Sequence, residues 1–312
     1  MNTPPVSRRG FLAGSALAVA GSTRLASANP TQPPARFRYG LNMSTIRGQK
    51  LDAAEEIEIA AKAGYDAVEP WLGTLGQYVG KGGKLADLRK RLEDHGLTVE
   101  SAIGFAPWIV DDDAKRAEGF EQAKRDMDTI AQLGGIRIAA PPAGAPGDSA
   151  IDPMRAAERY RALLELGDEM GVIPQIEMWG GNKSIGRVST AVFIAMEAGH
   201  PKACFLGDVY HTYKGGSDFA SLLQLGPQAL QTFHMNDYPA DPPRESIKDE
   251  HRVYPGDGIA PLTEILQGFH QVGASPVLSL ELFNRSYWKQ PALEVAKTGL
   301  AKMKAAVAKA GL

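Results

Sequence analysis

The sequence is poor in cysteine, in long apolar runs and in excess charge of either sign. Cys204 is the only cysteine among the 312 residues, which excludes an internal disulfide framework and a zinc cluster built from cysteines. No apolar run reaches the roughly 18 residues that a membrane span requires. Lysine and arginine number 34 against 36 aspartate and glutamate residues, so no basic excess is available for a phosphate backbone and we expect no nucleic-acid partner.

The first 28 residues read as an export signal. The segment Ser7-Arg8-Arg9-Gly10-Phe11-Leu12 precedes a small, mildly apolar stretch and resembles the twin-arginine (Tat) signal. Ala26-Ser27-Ala28 has the A-x-A form of a cleavage site. We therefore predict cleavage after Ala28, a proline-rich linker over residues 29–36 and a periplasmic or exported protein without a membrane partner. A disordered basic N-terminus is the alternative.

A pattern of helix, glycine and short apolar strand recurs along the rest of the chain. Eight strands are predicted, at Phe37–Asn42, Tyr65–Glu69, Leu97–Ile103, Ile136–Ala140, Val172–Glu177, Ala203–Asp208, Ala229–Met235 and Val277–Glu281. Eight helices follow them, at Leu51–Ala63, Lys84–His95, Ala114–Leu133, Pro153–Met170, Val188–Ala198, Phe219–Leu225, Leu262–Val272 and Pro291–Lys309. A glycine suited to the left-handed residue after a helix precedes every strand but the first.

Alternating strands and helices predict the fold class. Such units form right-handed crossovers and a parallel sheet. Eight of them predict a (β/α)8 TIM barrel over residues 37–312, in a single domain. The alternative is a doubly wound sheet, which usually has a Gly-x-Gly-x-x-Gly loop after its first strand. That position reads Asn42-Met43-Ser44-Thr45 and lacks the motif.

Four consecutive predicted strands end in side chains that bind metals: Glu177, Asp208, His234 and Glu281. The carboxyl ends of barrel strands are where active sites are built. Three carboxylates packed together would raise one another's pKa values unless a cation accompanied them. One nitrogen and three oxygen ligands suit one divalent metal, Mn²⁺ or Mg²⁺, with Co²⁺ or Zn²⁺ as alternatives. Any one of these carboxylates taken alone could instead anchor a loop.

These residues and their order resemble the xylose-isomerase-like TIM barrels of the sugar phosphate isomerase/epimerase group. The group's Glu…Asp-x-x-His…His…Glu order matches Glu177, Asp208-Val209-Tyr210-His211, His234 and Glu281. Its Arg-x-x-Pro-Gly-x-Gly element matches Arg252-Val253-Tyr254-Pro255-Gly256-Asp257-Gly258. The group includes ketose 3-epimerases, inosose isomerases and dehydratases, and endonuclease IV.

The resemblance implies a metal-dependent isomerase or epimerase of a keto sugar or related polyol ketone. Glu177 and Glu281 would be metal ligands and also the acid/base pair. One would remove the proton beside a metal-polarised carbonyl to give an enediolate, and the other would return it. Arg252 would hold a substrate oxygen. His211 would reach a substrate hydroxyl or carbonyl oxygen, with anchoring of its loop as the alternative.

Three further residues are candidates for substrate contact. Glu69 ends the second predicted strand at the same rim, and Lys183 could contact a substrate oxygen or phosphate. Trp108 offers an aromatic face on which a sugar ring could stack. The alternatives are a structural carboxylate, a solvated loop lysine and aromatic packing at the rim.

The same site leaves other activities open. With a leaving group β to the carbonyl, proton removal leads to elimination, so a lyase or hydratase of a 3-keto-glycoside or inosose-like substrate is the alternative. Export favours a free, oxidised or glycosidic sugar over a sugar phosphate. Phosphodiester cleavage would need a three-zinc site with additional histidines, and a non-catalytic sugar-binding protein would not need the intact ligands. The expected partner is a small carbohydrate, and a homo-oligomer is compatible with this interpretation.

Overall fold

The computed structural model describes Met1 and residues 37–312. Apart from Met1, the predicted signal segment lies outside the described residues, as does the linker. The expected boundaries at residues 28 and 36 therefore remain predictions. Within the described part of the chain, no helix is both long and apolar enough to cross a membrane.

Eight short parallel strands form the centre of the described structure. They are β1 (Tyr39–Asn42), β2 (Ala67–Glu69), β3 (Thr98–Val99), β4 (Arg137–Ala140), β5 (Ile173–Glu177), β6 (Phe205–Asp208), β7 (Leu230–Met235) and β8 (Val277–Leu280). Their order is β3-β2-β1-β8-β7-β6-β5-β4. Ala139 of β4 donates a backbone hydrogen bond of 2.8 Å to Ala102, just beyond β3, which draws the two edges together. The sheet is thus a nearly closed barrel, and the predicted (β/α)8 TIM fold is confirmed.

The described residues form nine α-helices. These are α1 (Ala53–Ala63), α2 (Leu72–Gly80), α3 (Leu85–His95), α4 (Asp113–Gln132), α5 (Pro153–Met170), α6 (Val188–Glu197), α7 (Val209–Lys214), α8 (Leu262–Gln271) and α9 (Ala292–Lys309). Seven of the eight predicted helices are present with nearly the expected bounds. The short helices α2 and α7 were not predicted; they follow β2 and β6 on the side where the strands end.

Two predicted elements differ from the structure. Phe219–Leu225 is a 3-10 helix over Phe219–Gln224, and Leu225 is already extended, with φ −92° and ψ 126°. The chain therefore leaves this helix without a left-handed residue, and Gly226 does not adopt the positive φ that was expected of it. The predicted strand Leu97–Ile103 forms a ladder only at Thr98–Val99, while Ile103 makes an isolated bridge to Trp71.

The barrel interior is filled rather than open. Ile103, Ala139 and Leu206 form a small buried apolar cluster of their own, separate from the main hydrophobic core. A buried amide also lies among the strands, where Gln175 of β5 donates to Ser101 at 3.1 Å. The ionisable groups at the strand ends therefore lie above closely packed side chains, which restrict their movement.

Close packing of α5 on β5 gives a test of this architecture. A Cβ at Gly167 would lie 2.6 Å from the carbonyl oxygen of Val172 and 2.7 Å from Pro174 Cδ. We expect Gly167→Ala to lower the free energy of unfolding by about 1–3 kcal/mol, because overpacking forces backbone to move. The measurement is urea unfolding followed by circular dichroism.

The matched control is Gly76→Ala in α2, where an added Cβ meets no atom within 4 Å. Alanine is favoured over glycine in a helix by roughly 0.5–1 kcal/mol, so this variant should be slightly more stable. Equal effects of the two substitutions would contradict the close packing of α5.

Candidate active site

A cavity of about 340 Å³ lies at the carboxyl ends of the barrel strands. Four of the predicted site residues line it: Glu177, His211, Arg252 and Glu281. The remainder of the wall is mostly aromatic or apolar and consists of Trp71, Ile103, Phe105, Trp179, Gly180, Asp249 and Phe283. The cavity therefore combines ionisable groups with ring surfaces, as sites for small polar molecules do.

Three of the four predicted metal ligands lie side by side below this cavity. Asp208 ends β6, His234 lies near the end of β7, and Glu281 follows β8. The parallel register pairs Asp208 with His234, which brings their side chains together. His234 Nδ1 is 3.1 Å from Glu281 Oε2 and 3.5 Å from Asp208 Oδ2. All three are buried, with one ligand atom of each within 4.8 Å of the others, so the group could hold a metal ion.

The surroundings of His234 fit a metal ligand. Its Nδ1 atom is buried and makes no well-aligned hydrogen bond among the described residues, although Glu281 Oε2 lies 3.1 Å away. Buried polar atoms are nearly always partnered. Its other ring nitrogen, Nε2, lies 3.0 Å from Glu69 Oε2. A histidine that binds a metal through one nitrogen usually donates the other N–H to a carboxylate. The ring is therefore oriented with Nδ1 facing Asp208 and Glu281.

Glu69 is buried behind His234 and does not line the cavity. Besides contacting the imidazole, its Oε2 atom accepts hydrogen bonds from Asn42 Nδ2 at 2.8 Å and Ser279 Oγ at 2.7 Å. Burial alone would raise the pKa of Glu69, but the contact with His234 and these donors lower it below the usual value. The carboxylate is thus ionised and serves to orient His234, which agrees better with the structural alternative than with direct substrate contact.

Glu177 lies in the wall of the cavity, apart from the compact group of three. Burial raises the pKa of Glu177 to about 8, an effect that His234 opposes and that Glu281 and Asp208 reinforce. A carboxyl group with this pKa exchanges protons readily near neutral pH. Its predicted role as a fourth metal ligand remains a prediction.

Arg252 is fully buried and compensates the acidic cluster. Its Nη1 atom donates to Asp208 Oδ2 at 2.9 Å and to Glu281 Oε2 at 2.7 Å, and Nη2 donates to Asp249 Oδ1 at 2.6 Å. The guanidinium carbon lies 4.4 Å from the ring centre of Tyr210. Burial opposes the charge, but these carboxylates raise the pKa of Arg252 above its ordinary value. A permanent cation therefore lies in the cavity wall beside Asp208 and Glu281.

His211 is positioned by the same aspartate that takes part in the metal group. Asp208 Oδ1 accepts the backbone N–H of His211 at 2.7 Å and so caps the start of α7. The ring accepts the N–H of Gly180 at Nδ1, and Nε2 lies 3.1 Å from Arg252 Nη2. Burial, with a further contribution from the Arg252 charge, lowers the pKa of His211, despite Asp208. A neutral imidazole thus faces the cavity.

Two predicted substrate contacts lie away from the cavity. Lys183 is exposed in the loop after β5 and is not part of the wall. Trp108 is 1% exposed, packs against Tyr160 and donates its indole N–H to the carbonyl of Pro141 at 2.8 Å. Because the core encloses its ring, Trp108 has no free face for a sugar. Its role is aromatic packing, the alternative stated above.

The structure also adds site residues that the sequence reasoning missed. Asn42, the last residue of β1, donates to both Glu69 and Glu281 and accepts the indole N–H of Trp71. The strand-end rule that selected the four predicted metal ligands could have found it. Asp249 begins a short 3-10 helix, Asp249–His251, and pairs with Arg252 three residues further along the chain, a spacing that the sequence contains.

The fold and this site together define a class of protein. A (β/α)8 barrel with buried carboxylates, histidines and an arginine at the carboxyl ends of its strands is typical of barrel enzymes. The model of the xylose isomerase-like TIM barrel family matches residues 57–306. The chain belongs to this family.

Several known proteins are similar to this chain. It is 26% identical over 259 residues to the inosose isomerase of Bacillus velezensis, covering 82% of this chain and 92% of the relative. It is 24% identical over 250 residues to the 3-dehydroshikimate dehydratase of Pseudomonas aeruginosa, covering 79% of this chain and 38% of that enzyme. The crystal structure of the IOLI protein with a zinc atom has a TM-score of 0.81 at 24% identity, covering 88% of this chain and 99% of that one. Both named relatives are enzymes.

The contact between Glu69 and His234 generates a prediction about metal affinity. Replacing Glu69 by Gln removes the charge that orients and polarises the imidazole, while the side chain keeps its size. We expect Glu69→Gln to weaken binding of a divalent metal about 10–100-fold, as loss of such outer contacts does elsewhere. Competition with a chromogenic chelator measures the affinity.

The control is Glu100→Gln. Glu100 pairs with Arg38 and Arg137 at the opposite end of the barrel, and its side chain is 12% exposed. The metal affinity of the Glu100→Gln variant should equal that of the unaltered protein. If Glu69→Gln bound metal equally well, the role of Glu69 in orienting His234 would be refuted.

Proposed function

We propose that the chain is a divalent-metal-dependent isomerase or epimerase that acts on a keto sugar or a related polyol ketone. The observation that carries this proposal is the Nδ1 atom of His234, which makes no well-aligned hydrogen bond and is directed at Asp208 and Glu281 beneath a cavity that also contains Glu177. The similarity to an inosose isomerase supports it.

Asp208, His234 and Glu281 would hold the metal, and Glu177 is the proposed fourth ligand. A bound divalent ion would polarise a ketone oxygen and make the neighbouring C–H bond more acidic. Nitrogen and carboxylate ligands suit Mn²⁺ or Mg²⁺, and the zinc in the similar IOLI protein supports Zn²⁺ as an alternative.

Glu177 and Glu281 are the proposed acid/base pair. They come from β5 and from the end of β8, and two strands separate these in the sheet. The carboxylates therefore approach the cavity from different walls, as proton removal on one face of a carbon and return on the other would require. The pKa of Glu177, about 8 in the metal-free site, would fall when a divalent ion binds nearby, which would leave the carboxylate ionised and able to accept a proton.

Arg252 and His211 would bind the oxygens of the substrate. The guanidinium can only donate hydrogen bonds, so it suits an oxygen that gains negative charge as the proton leaves. His211 lies beside it and contributes a neutral ring nitrogen. Trp71, Phe105 and Phe283 line the remaining wall, where ring surfaces exclude water and pack on the apolar face of a sugar.

A lyase or hydratase activity is the second candidate, and the similarity to a 3-dehydroshikimate dehydratase favours it. Both activities begin with removal of the proton next to a ketone. The two reactions differ in the next step, because a β-oxygen substituent can leave with a proton. The glutamate that removed the first proton, Glu177 or Glu281, lies in the cavity wall and could supply that proton. A 3-keto-glycoside or inosose-like substrate would follow this route.

Exchange of solvent deuterium into the substrate tests the acid/base assignment. Metal-loaded protein is incubated in D2O with a panel of ketoses, inososes and 3-keto-glycosides and followed by NMR. We expect Glu177→Gln and Glu281→Gln each to lower exchange by a factor of about 100 or more, since general acid–base catalysis contributes about 10²–10⁴-fold. Glu100→Gln, remote from the cavity, should leave the rate unchanged.

The products separate the two candidates. An isomerase or epimerase retains every oxygen of the substrate and incorporates deuterium, whereas a lyase releases water or an alcohol. Undiminished exchange in both glutamine variants would overturn the assignment of the acid/base pair. Absence of exchange with every compound would overturn the proposed function.

We also propose that the chain is exported by the twin-arginine route and works outside the cytoplasm. This proposal rests on the sequence of the first 28 residues. In a bacterial host, conversion of Arg8 and Arg9 to lysine should retain the protein in the cytoplasmic fraction, because that route reads the arginine pair. Conversion of Arg24 to lysine is the control. Equal periplasmic yield of the two variants would refute the route.

A further inference from the structure

A second cavity, called the outer cavity below, adjoins the cavity that contains Glu177 and Glu281, which is called the reaction cavity. Trp71 lines both of them. This outer cavity has a volume of about 520 Å³, against about 340 Å³ for the reaction cavity. It is bounded by the 3-10 helix Met43–Gln49, the start of α1 and the helix α2, which place Arg47, Glu56, Gly73 and Gln77 around it. Together the two cavities offer more room than one sugar ring would occupy.

Trp71 forms the partition between the two cavities. Toward the reaction cavity, its ring packs against Phe105 at 5.4 Å and Phe283 at 6.0 Å between centroids. Arg47, which lines the outer cavity, has its guanidinium carbon 4.7 Å from the Trp71 ring. The partition therefore presents aromatic rings to the reaction cavity and the Arg47 guanidinium, a hydrogen-bond donor, to the outer cavity.

Glu56 shows that the outer cavity is suited to a polar ligand. The residue is 5% exposed and lines the cavity, yet it has no hydrogen-bonding or cationic partner among the described residues. Burial, reinforced by Asp52, raises the pKa of Glu56 to about 8. A neutral carboxyl group can both donate and accept, which is the complement of a sugar hydroxyl. The neighbouring acids Asp52 and Glu55 are already engaged with each other's backbone N–H in the cap of α1.

The partition is also connected to the reaction site. Trp71 Nε1 donates to Asn42 Oδ1 at 2.9 Å, and Asn42 Nδ2 lies 3.2 Å from Glu281 Oε1. A ligand group that packs against Trp71 would therefore affect the position of Glu281, one member of the proposed acid/base pair. Binding energy from a remote part of a substrate can be used in this way to raise the rate of the chemical step.

We propose that the substrate carries a second sugar ring, which binds in the outer cavity beside Glu56 and Arg47 while the keto sugar occupies the reaction cavity across Trp71. The substrate class is thus a keto disaccharide or other glycoside of a keto sugar. This inference rests on the proposed function and extends it from one ring to two.

The test compares D-fructose with isomaltulose and lactulose, in which a second ring is attached to fructose at different carbons. Deuterium exchange beside the ketone is measured for the metal-loaded protein. We expect kcat/KM to be about tenfold or more higher for at least one disaccharide than for D-fructose, with part of the gain in kcat.

Two matched variants locate the effect. Gly73 lines the outer cavity and Gly76 lies one turn further along α2 outside it, and an added Cβ meets no atom within 4 Å at either position. Gly73→Phe should place a ring in the outer cavity and remove the preference for the disaccharide. Gly76→Phe should retain it. Gln77→Ala, which only truncates a lining side chain, should reduce the preference if Gly73→Phe proves unstable on thermal melting.

Binding without turnover separates this inference from the proposed function. Saturation-transfer NMR on metal-free protein should show contact with the second ring of the preferred disaccharide, and Gly73→Phe should abolish it. Contact without any deuterium exchange would sustain the second-ring site and overturn the proposed activity. The inference would be overturned if D-fructose exchanged deuterium at least as fast as both disaccharides and no saturation transfer reached the second ring. The proposed activity would then remain supported.

Discussion

Compensation of buried negative charge is the constraint on which the site depends. Glu69, Asp208, Glu177 and Glu281 are all at most 4% exposed at one end of the barrel. A cluster of this kind cannot be ionised without partners, because each buried carboxylate loses its hydration. Arg252 supplies one such partner from inside the cluster. The surrounding carboxylates raise the pKa of His234 against the effect of burial, so its imidazolium form supplies another. A divalent ion bound at Nδ1 would take the place of the imidazolium proton and of its charge. Every other feature of the site is arranged around these contacts.

The compensating groups are held by a small number of shared contacts. Asp208 caps α7 through one oxygen and faces Arg252 and His234 through the other, so the same side chain sets the start of a helix and part of the metal group. Glu69 orients His234, and Asn42 links Glu69 to Glu281 and to Trp71. These hydrogen bonds connect Glu281, at the bottom of the reaction cavity, to Trp71, which separates the two cavities. A change at Trp71 is therefore expected to reach Glu281, a member of the proposed acid/base pair, through Asn42 alone.

The proposed chemistry would suit a fold that is shared by relatives with different reactions. Removal of a proton beside a polarised ketone can begin an isomerisation, an epimerisation or a dehydration, and in the proposed function the strand ends supply the groups for that step. The fate of the resulting carbanion depends on the substituents that the wall admits and positions. In this chain the wall continues past Trp71 into a second cavity, where the proposed second ring would lie.

The repeating pattern of strands and helices, and with it the barrel, could be predicted from the sequence. So could the strand-end residues Asp208, His234 and Glu281, because in a parallel barrel the last residues of neighbouring strands must lie at one rim. The environment of each group depended on tertiary packing. Burial enclosed Trp108 in the core and set Glu69 behind His234. The outer cavity likewise arises from the packing of α1 against the unpredicted helix α2. Side-chain periodicity specifies which face of an element is buried, but long-range packing decides what each buried group contacts.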